Sequence, residues 1–368
     1  MKKSETIFFE LLRAGLWERP ARLADFDPID WEQVYDVAKR QTVVGLLAAG
    51  LGHLEDFYVY KASVMPFITD VGSVVENNRQ MNDLIASLVP QLSKEGISAI
   101  LVKGQGIAQC YDRPLWRSCG DVDLLLDAAD YEKAKLFLSS KAERVEKEEP
   151  TNKHLAMRIG SFEVELHGTL RSLRNPKVDR TLDRMIERMF AERQFRIWNN
   201  NAVEVSLPAP DNDVIIIFTH ILQHFFAGGI GIRQVCDWCR ILWSFRDVID
   251  IGMLEDNLKD MKVMTEWKAF GCVAVDYLGL PSDAMPFYDA SFKKKADRIV
   301  AHILYVGNFG HNRDHSYFRK YPYFVRKAIS FSRQADDFLR HSSIFPLDAI
   351  RYFYHSFLYS SKAVMKGE

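Results

Sequence analysis

The chain has 368 residues, and its 48 Lys and Arg nearly cancel 49 Asp and Glu, leaving a formal net charge of −1. That balance argues against bulk electrostatic binding of nucleic acid, while a local basic patch stays open. Apolar residues make up 48%, enough for a large core, and no uninterrupted apolar run is long enough to span a bilayer. The five cysteines are an odd set in a long chain and give no disulfide framework. Cys236 and Cys239 lie in a helical pattern without a second pair and read as buried thiols.

Residues 1–95 read mostly as helix. The segment Met1–Arg13 carries acidic residues within its apolar run and lacks a cleavage pattern, so it is expected to be an amphipathic helix in a cytoplasmic protein. A second helix contains Asp30–Lys39, with Asp27 as its N-cap and Pro28 in its first turn. A longer one covers Val71–Leu92, where Pro90 is a kink or an early stop. Between 96 and 208 the pattern changes to short apolar runs. Strands are expected at Ser98–Val102, Val122–Leu126, Leu155–Ile159 and Phe162–His167, followed by a hairpin from Gln194 to Leu207 around Asn199-Asn200-Asn201. Helices at Tyr131–Ser140 and Val178–Glu192 separate them, with Asp127 capping the first. Pro208 and Pro210 punctuate the boundary, and helical periods return over 209–368. The expected fold class is therefore α+β, a small mixed β-sheet core flanked by N-terminal and C-terminal helical regions. The tail from Tyr317 to Tyr359 interleaves aromatics with Arg319, Lys320, Arg326, Lys327, Arg333, Arg340 and Arg351, and reads as helices with buried aromatic and solvated basic faces.

The chemistry concentrates between Leu101 and Asp127. Alternation along a strand puts Asp121 and Asp123 on one side and Val122, Leu124 and Leu126 on the other. Two adjacent carboxylates repel, and a hard divalent ion such as Mg²⁺ (or Mn²⁺) is the usual offset at neutral pH. Relief of that repulsion is expected to leave an Asp123→Asn variant as stable as the parent or more so. The run Ser161–Gly168 alternates strictly, with Glu163, Glu165 and His167 on one face and Phe162, Val164 and Leu166 on the other. As a neighbour of the first strand it would let Asp121, Asp123 and Glu165 clamp two ions roughly 4 Å apart for displacement at phosphorus. Lys103 and Arg117 offer positive charge to a polyphosphate, and Gly104 and Gly106 let backbone amides approach one closely.

These elements resemble the nucleotidyltransferase fold of the DNA polymerase beta superfamily. More narrowly, Lys103-Gly104, Arg117, Asp121-Val122-Asp123 and Glu165-Leu166-His167 are similar to a bacterial group with a Lys-Gly turn, an Arg before Asp-hydrophobic-Asp, and a later acidic-Leu-His strand. The resemblance extends through His220, His224, Arg233 and Asp237. It implies a metal-dependent transfer of a nucleoside monophosphate from a nucleoside triphosphate such as ATP, with release of pyrophosphate. Asp121, Asp123 and Glu165 would be the catalytic metal ligands, with Lys103, Gly104, Gly106 and Arg117 binding the nucleotide. His167, His220, His224, Arg233 and Asp237 are candidates for the acceptor side. The acceptor, whether a small molecule, a sugar, a protein or an RNA end, is not written in the sequence. Gly228-Gly229-Ile230-Gly231 breaks the helical pattern between the histidines and Arg233 and would let a ligand approach the backbone. One departure stands out. The wider superfamily opens with Gly-Ser, whereas this chain has Gly104-Gln105, and the competing reading is a nucleotide-binding or interaction module without turnover.

Overall fold

The computed structural model describes residues 2–354 apart from 24, 25, 27, 56, 150, 173, 174 and 311–321. Four helices open the chain: α1 (Lys3–Trp17), α2 (Trp31–Arg40), α3 (Val44–Leu51) and α4 (Phe57–Lys94). Ile7, Phe8, Phe9, Leu11 and Leu12 of α1 are all buried. The helix is amphipathic, as expected, with a wide buried face and a narrower polar stripe of Lys3, Thr6, Glu10 and Arg13. It crosses α3 backbone to backbone. A Cβ on Gly15 would lie 1.8 Å from the Leu46 carbonyl oxygen, and one on Gly50 2.0 Å from that of Leu11. The cap of α2 is Asp30, whose side chain accepts from the Gln33 amide; Asp27 falls outside the described residues. Helix α4 begins well before Val71 and runs through both Pro66 and Pro90. Each proline removes one helical hydrogen bond, yet Phe67, Val71, Met81, Ile85, Leu88 and Leu92 bury a continuous side of the helix and hold it together.

The sheet contains β1 (Ala99–Val102), β2 (Asp121–Leu126), β3 (Arg144–Val145), β4 (His154–Ile159) and β5 (Phe162–His167), in the order β1-β2-β5-β4-β3. The β2–β5 pair is parallel and the others antiparallel. The short helix α5 (Gly104–Ala108) follows β1, and α6 (Ala128–Ser139) follows β2, capped by Asp127, which accepts from the amides of Ala129 and Asp130. Val122, Leu124, Leu126, Val164 and Leu166 form one face and share a core with Met81 and Ile85 of α4 and Tyr131 and Leu138 of α6. The opposite face is polar along β5 and at the start of β2, and apolar toward β1. Leu125, on the same side as Asp121 and Asp123, packs with Ile186 and Met189 of α7 (Pro176–Ala191). A separate hairpin, β6 (Phe195–Asn200) and β7 (Val203–Pro208), completes this region.

Helices α8 (Pro210–Ala227), α9 (Ile232–Ser244), α10 (Ile251–Met261), α11 (Met264–Cys272), α12 (Lys293–Val306) and α13 (Tyr323–Ser342) follow. Phe8, Leu11 and Leu47 from the first helices join Phe218, Trp238, Trp267, Phe270 and Ile303 from the last ones in a single core. The two helical regions flank the sheet in sequence but form one body in space, so the fold is α+β with the sheet set against a composite helical mass. The glycine break after α8 accommodates protein rather than ligand. A Cβ on Gly229 would sit 2.2 Å from Val306 Cγ1, and one on Gly231 2.9 Å from Asn308 Cβ. Arg319 and Lys320 of the aromatic-basic tail lie outside the described residues, while Arg340 stacks on Tyr305 at 3.9 Å and pairs with Asp336. No described helix is long and apolar enough to cross a membrane.

The α1–α3 crossing yields a direct test. Gly15→Ala is expected to lower stability by about 3 kcal/mol, the upper end for overpacked cores, because the obstacle is backbone and not a movable side chain. Urea unfolding of both proteins measures it, and an unchanged midpoint would contradict the crossing.

Candidate active site

The parallel register of β2 and β5 sets Asp121 opposite Glu163 and Asp123 opposite Glu165. Oxygens from Asp121, Asp123 and Glu165 all lie within 4.8 Å of one another. Such crowding has visible electrostatic consequences. Asp121 is raised to about 6, first by the charge of Asp123 and then by burial. Asp123 is held below the ordinary carboxylate range despite its burial, because the Lys103 ammonium and the His167 ring both favour its charge. Lys103 Nζ lies 2.8 Å and His167 Nε2 2.7 Å from the same Asp123 oxygen. Glu165 is likewise held well below its usual range. Burial works against its charge, but hydrogen bonds from His154 and His167 outweigh that cost.

Lys103 reaches this place through an unusual backbone. Its φ is +57° and its ψ −147°, followed by Gly104 at φ +41°. A lysine at positive φ is strained, and strain of this kind persists where the surrounding structure imposes it. Gly104 is confined by Cys119 Sγ, 3.1 Å from its virtual Cβ, and Gly106 by Leu207 Cδ2 at 2.8 Å. The close approach that these two glycines permit is thus, in the first instance, to the β2 loop and the β7 hairpin.

Arg117 is engaged elsewhere. Its guanidinium forms a bidentate pair with Asp237 of α9 at 3.0 and 2.7 Å, and the Tyr111 hydroxyl donates to the same carboxylate at 2.7 Å. Arg117 is 4% and Asp237 3% exposed, so neither presents a free charge to a phosphate. The arginine beside Asp121 is Arg233, which bonds Thr42 Oγ1 at 3.0 Å and the Ser118 carbonyl at 2.8 Å. Its charge counters the upward push on Asp121. Although Arg233 and Asp237 stand four residues apart on one helix, each bonds a partner outside it. Helix α4 fixes the same loop, as Asn78 Nδ2 donates to the carbonyls of Leu115 and Arg117 at 2.8 and 2.9 Å.

On the far side of Glu165 a cavity of about 300 Å³ opens, lined by Lys103, Glu165 and His167 on the sheet and by His220 and His224 on α8. The two α8 rings meet edge to face at 4.3 Å. Burial, and then the charge of Lys103, hold His220 well below its ordinary value, so it is a neutral imidazole here. The sheet side and α8 therefore share one cleft, whereas Asp237 stands apart from it in the Arg117 pair.

A family profile described as an uncharacterised nucleotidyltransferase matches residues 27–279. The chain belongs to this family. The matched span contains every residue of the carboxylate cluster, the β2 loop and the α8–α9 helices. A crystal structure described as an antigenic nucleotidyltransferase-like protein from Paracoccidioides brasiliensis is similar over 57% of this chain and 95% of that one, at 13% identity and a TM-score of 0.35. No match was found among curated proteins.

Within the family fold, one residue of the cluster escaped the reading of the sequence. His154, the first residue of β4, lies 3.1 Å from Glu165 Oε2. The expected strand began one residue later, at Leu155. The signal was present in the two-residue turn Gly160-Ser161, since a hairpin of that length sets the register that brings His154 opposite His167.

The cluster also corrects an expectation about stability. Replacing Asp123 removes two favourable contacts, so Asp123→Asn is expected to destabilise; the residue under repulsive load is Asp121. An acid whose folded-state value is raised from 3.8 to about 6 binds its proton more tightly when folded. The resulting penalty grows between about pH 4 and pH 6 and is fully present above that window. Asp121→Asn is therefore expected to raise metal-free stability at pH 7 by up to about 3 kcal/mol and to leave it unchanged near pH 3. Thermal melts at the two pH values check this, and a variant no more stable than its parent at pH 7 would contradict it.

Proposed function

We propose that this protein transfers a nucleoside monophosphate from a nucleoside triphosphate to an acceptor, releasing pyrophosphate, with Mg²⁺ or Mn²⁺ at the carboxylates. The observation that carries this reading is the convergence of Asp121, Asp123 and Glu165 on adjoining parallel strands, with Lys103 against them. Three oxygen donors at that spacing suit a hard divalent ion, and the pressure on Asp121 to take a proton is what such an ion relieves. When bound, the ion supplies a Lewis acid that offsets phosphate charge and makes an acceptor oxygen more nucleophilic at neutral pH.

The chain's own groups then have distinct tasks. Lys103, released from Asp123, stabilises the charge that builds on the leaving pyrophosphate, with the Gly104–Gly106 turn beneath it. Asp121 and Asp123 orient the donor's phosphates. The acceptor enters from the cleft between β5 and α8, where Glu165 and His167 face His220 and His224, and its oxygen attacks the α-phosphorus as the bond to the bridging oxygen breaks. Glu165 stands where it can favour loss of the acceptor proton. Arg117 and Asp237 act at a distance, by holding the loop that precedes Asp121.

A second reading is favoured by a specific feature. Gln105 occupies the position where the wider superfamily has a serine, and it is 1% exposed, with its amide donating to Asn78 Oδ1 at 2.8 Å. It offers no hydroxyl to a donor phosphate, which suits a module that binds nucleotide without turning it over. The readings separate in one assay. Purified protein, α-labelled nucleoside triphosphates and Mg²⁺ or Mn²⁺ are incubated with a cell extract, scoring labelled product and pyrophosphate. Transfer is expected for the parent and a drop of roughly 100-fold or more for Asp123→Asn, the scale of losing one transition-state contact. Binding of nucleotide with no release of pyrophosphate from any acceptor pool would decide for the second reading.

A further inference from the structure

Glu165 has another set of neighbours, on the side away from Asp121. His154 Nε2 lies 3.1 Å and His167 Nε2 3.4 Å from one and the same oxygen, Glu165 Oε2. All three donor atoms lie within 4.8 Å of one another. The register of β4 on β5 places the two histidines directly opposite, with ring centroids 5.0 Å apart. Ligands held about 2.0–2.1 Å from one ion are separated by about 2.9 Å at right angles and about 3.4 Å at tetrahedral angles. The two separations observed here fall between those limits, so Glu165 Oε2 and each imidazole nitrogen already stand as neighbouring donors to one ion would. Two imidazoles and one carboxylate, with a remaining position open, are the donor set of catalytic zinc sites and are poorly matched to Mg²⁺. The open position exists, because the three residues line the cavity of about 300 Å³ beneath α8.

We propose that His154, Glu165 and His167 bind a transition-metal ion of the Zn²⁺ type, with Glu165 shared between this ion and the Asp121–Asp123 site. Binding exchanges the contact of His167 Nε2 with Asp123 for one with the ion, while Lys103 stays on Asp123 until a nucleotide draws it away. The centre then holds two ions of different character. The hard one sits with the aspartates and the softer one faces the cleft, where it presents a water or an acceptor oxygen. Its assignment to the acceptor side rests on the transfer reading above, whereas the binding site itself does not.

Co²⁺ serves as the probe, since its visible spectrum reports ligand type and geometry. It is titrated into the full-length protein without nucleotide, in an excess of Mg²⁺ that occupies the aspartates. One equivalent is expected to bind and to be displaced by Zn²⁺. His154 has a side chain 30% exposed at the start of its strand, so His154→Ala is expected to keep the fold. It should weaken Co²⁺ by more than about tenfold, since even an outer partner of a metal-bound histidine is worth that much. Asp121→Asn should bind Co²⁺ as the parent does. Equal affinity in the parent and His154→Ala overturns the proposal, as does a loss in Asp121→Asn matching that in His154→Ala. If His154→Ala melts below the titration temperature, His154→Asn is read in its place by the same criteria. The two readings fail separately: a negative transfer assay leaves a His154-dependent cobalt spectrum standing, and a silent cobalt titration leaves Mg²⁺-dependent transfer untouched.

Discussion

Repulsion among Asp121, Asp123 and Glu165 is the constraint around which the rest of the molecule is arranged. Three carboxylates with oxygens within 4.8 Å cannot all be charged and unaccompanied at neutral pH. The fold answers with Lys103 and His167 on Asp123 and with His154 and His167 on Glu165. Asp121 has the weakest compensation and carries the remaining load, which is why its proton affinity rises. A protein selected for stability alone would not retain such a cluster. An arrangement that is strained when empty and satisfied by a cation is what a binding site requires.

The second requirement is precision in the loop before β2, because Asp121 is its first ordered strand residue. Two distant helices hold that loop. Asn78 of α4 bonds two of its carbonyls, Arg117 carries a buried ion pair to Asp237 of α9, and Arg233 of α9 bonds the Ser118 carbonyl. A buried ion pair contributes little net stability, but removing one partner leaves an uncompensated charge. The Arg117–Asp237 pair thus makes the position of the aspartates conditional on correct packing of a helix 120 residues away. The common core that joins the first and last helices has the same effect.

How far the sequence reveals this depends on the range of each interaction. Local signals read well: period-two alternation located β2 and β5, Asp127 was recognisable as a cap, and the bounds Phe162–His167 coincide with the strand. The choice of Glu165 over Glu163 followed from the neighbouring Leu166-His167 and agrees with the register that sets Glu165 opposite Asp123. What failed was partner assignment across long separations. Arg117 beside an acidic strand looks like a phosphate ligand until α9 is in place, because nothing local says that its fork is occupied. Asp237 was misread for the complementary reason, as a group belonging to the cleft. Pro90 argued for a kink or an early stop in α4, and tertiary burial overrode it. His154 was missed by a single residue of strand length.

The central claim is that the carboxylate cluster admits a triphosphate only in company with a divalent cation. Isothermal titration of ATP into the protein tests it most directly, once in Mg²⁺ and once in excess chelator. The account predicts binding with Mg²⁺ and none measurable without it, since bare phosphates would meet three carboxylates. Equal affinity in both titrations would contradict it, and would place the nucleotide away from Asp121, Asp123 and Glu165.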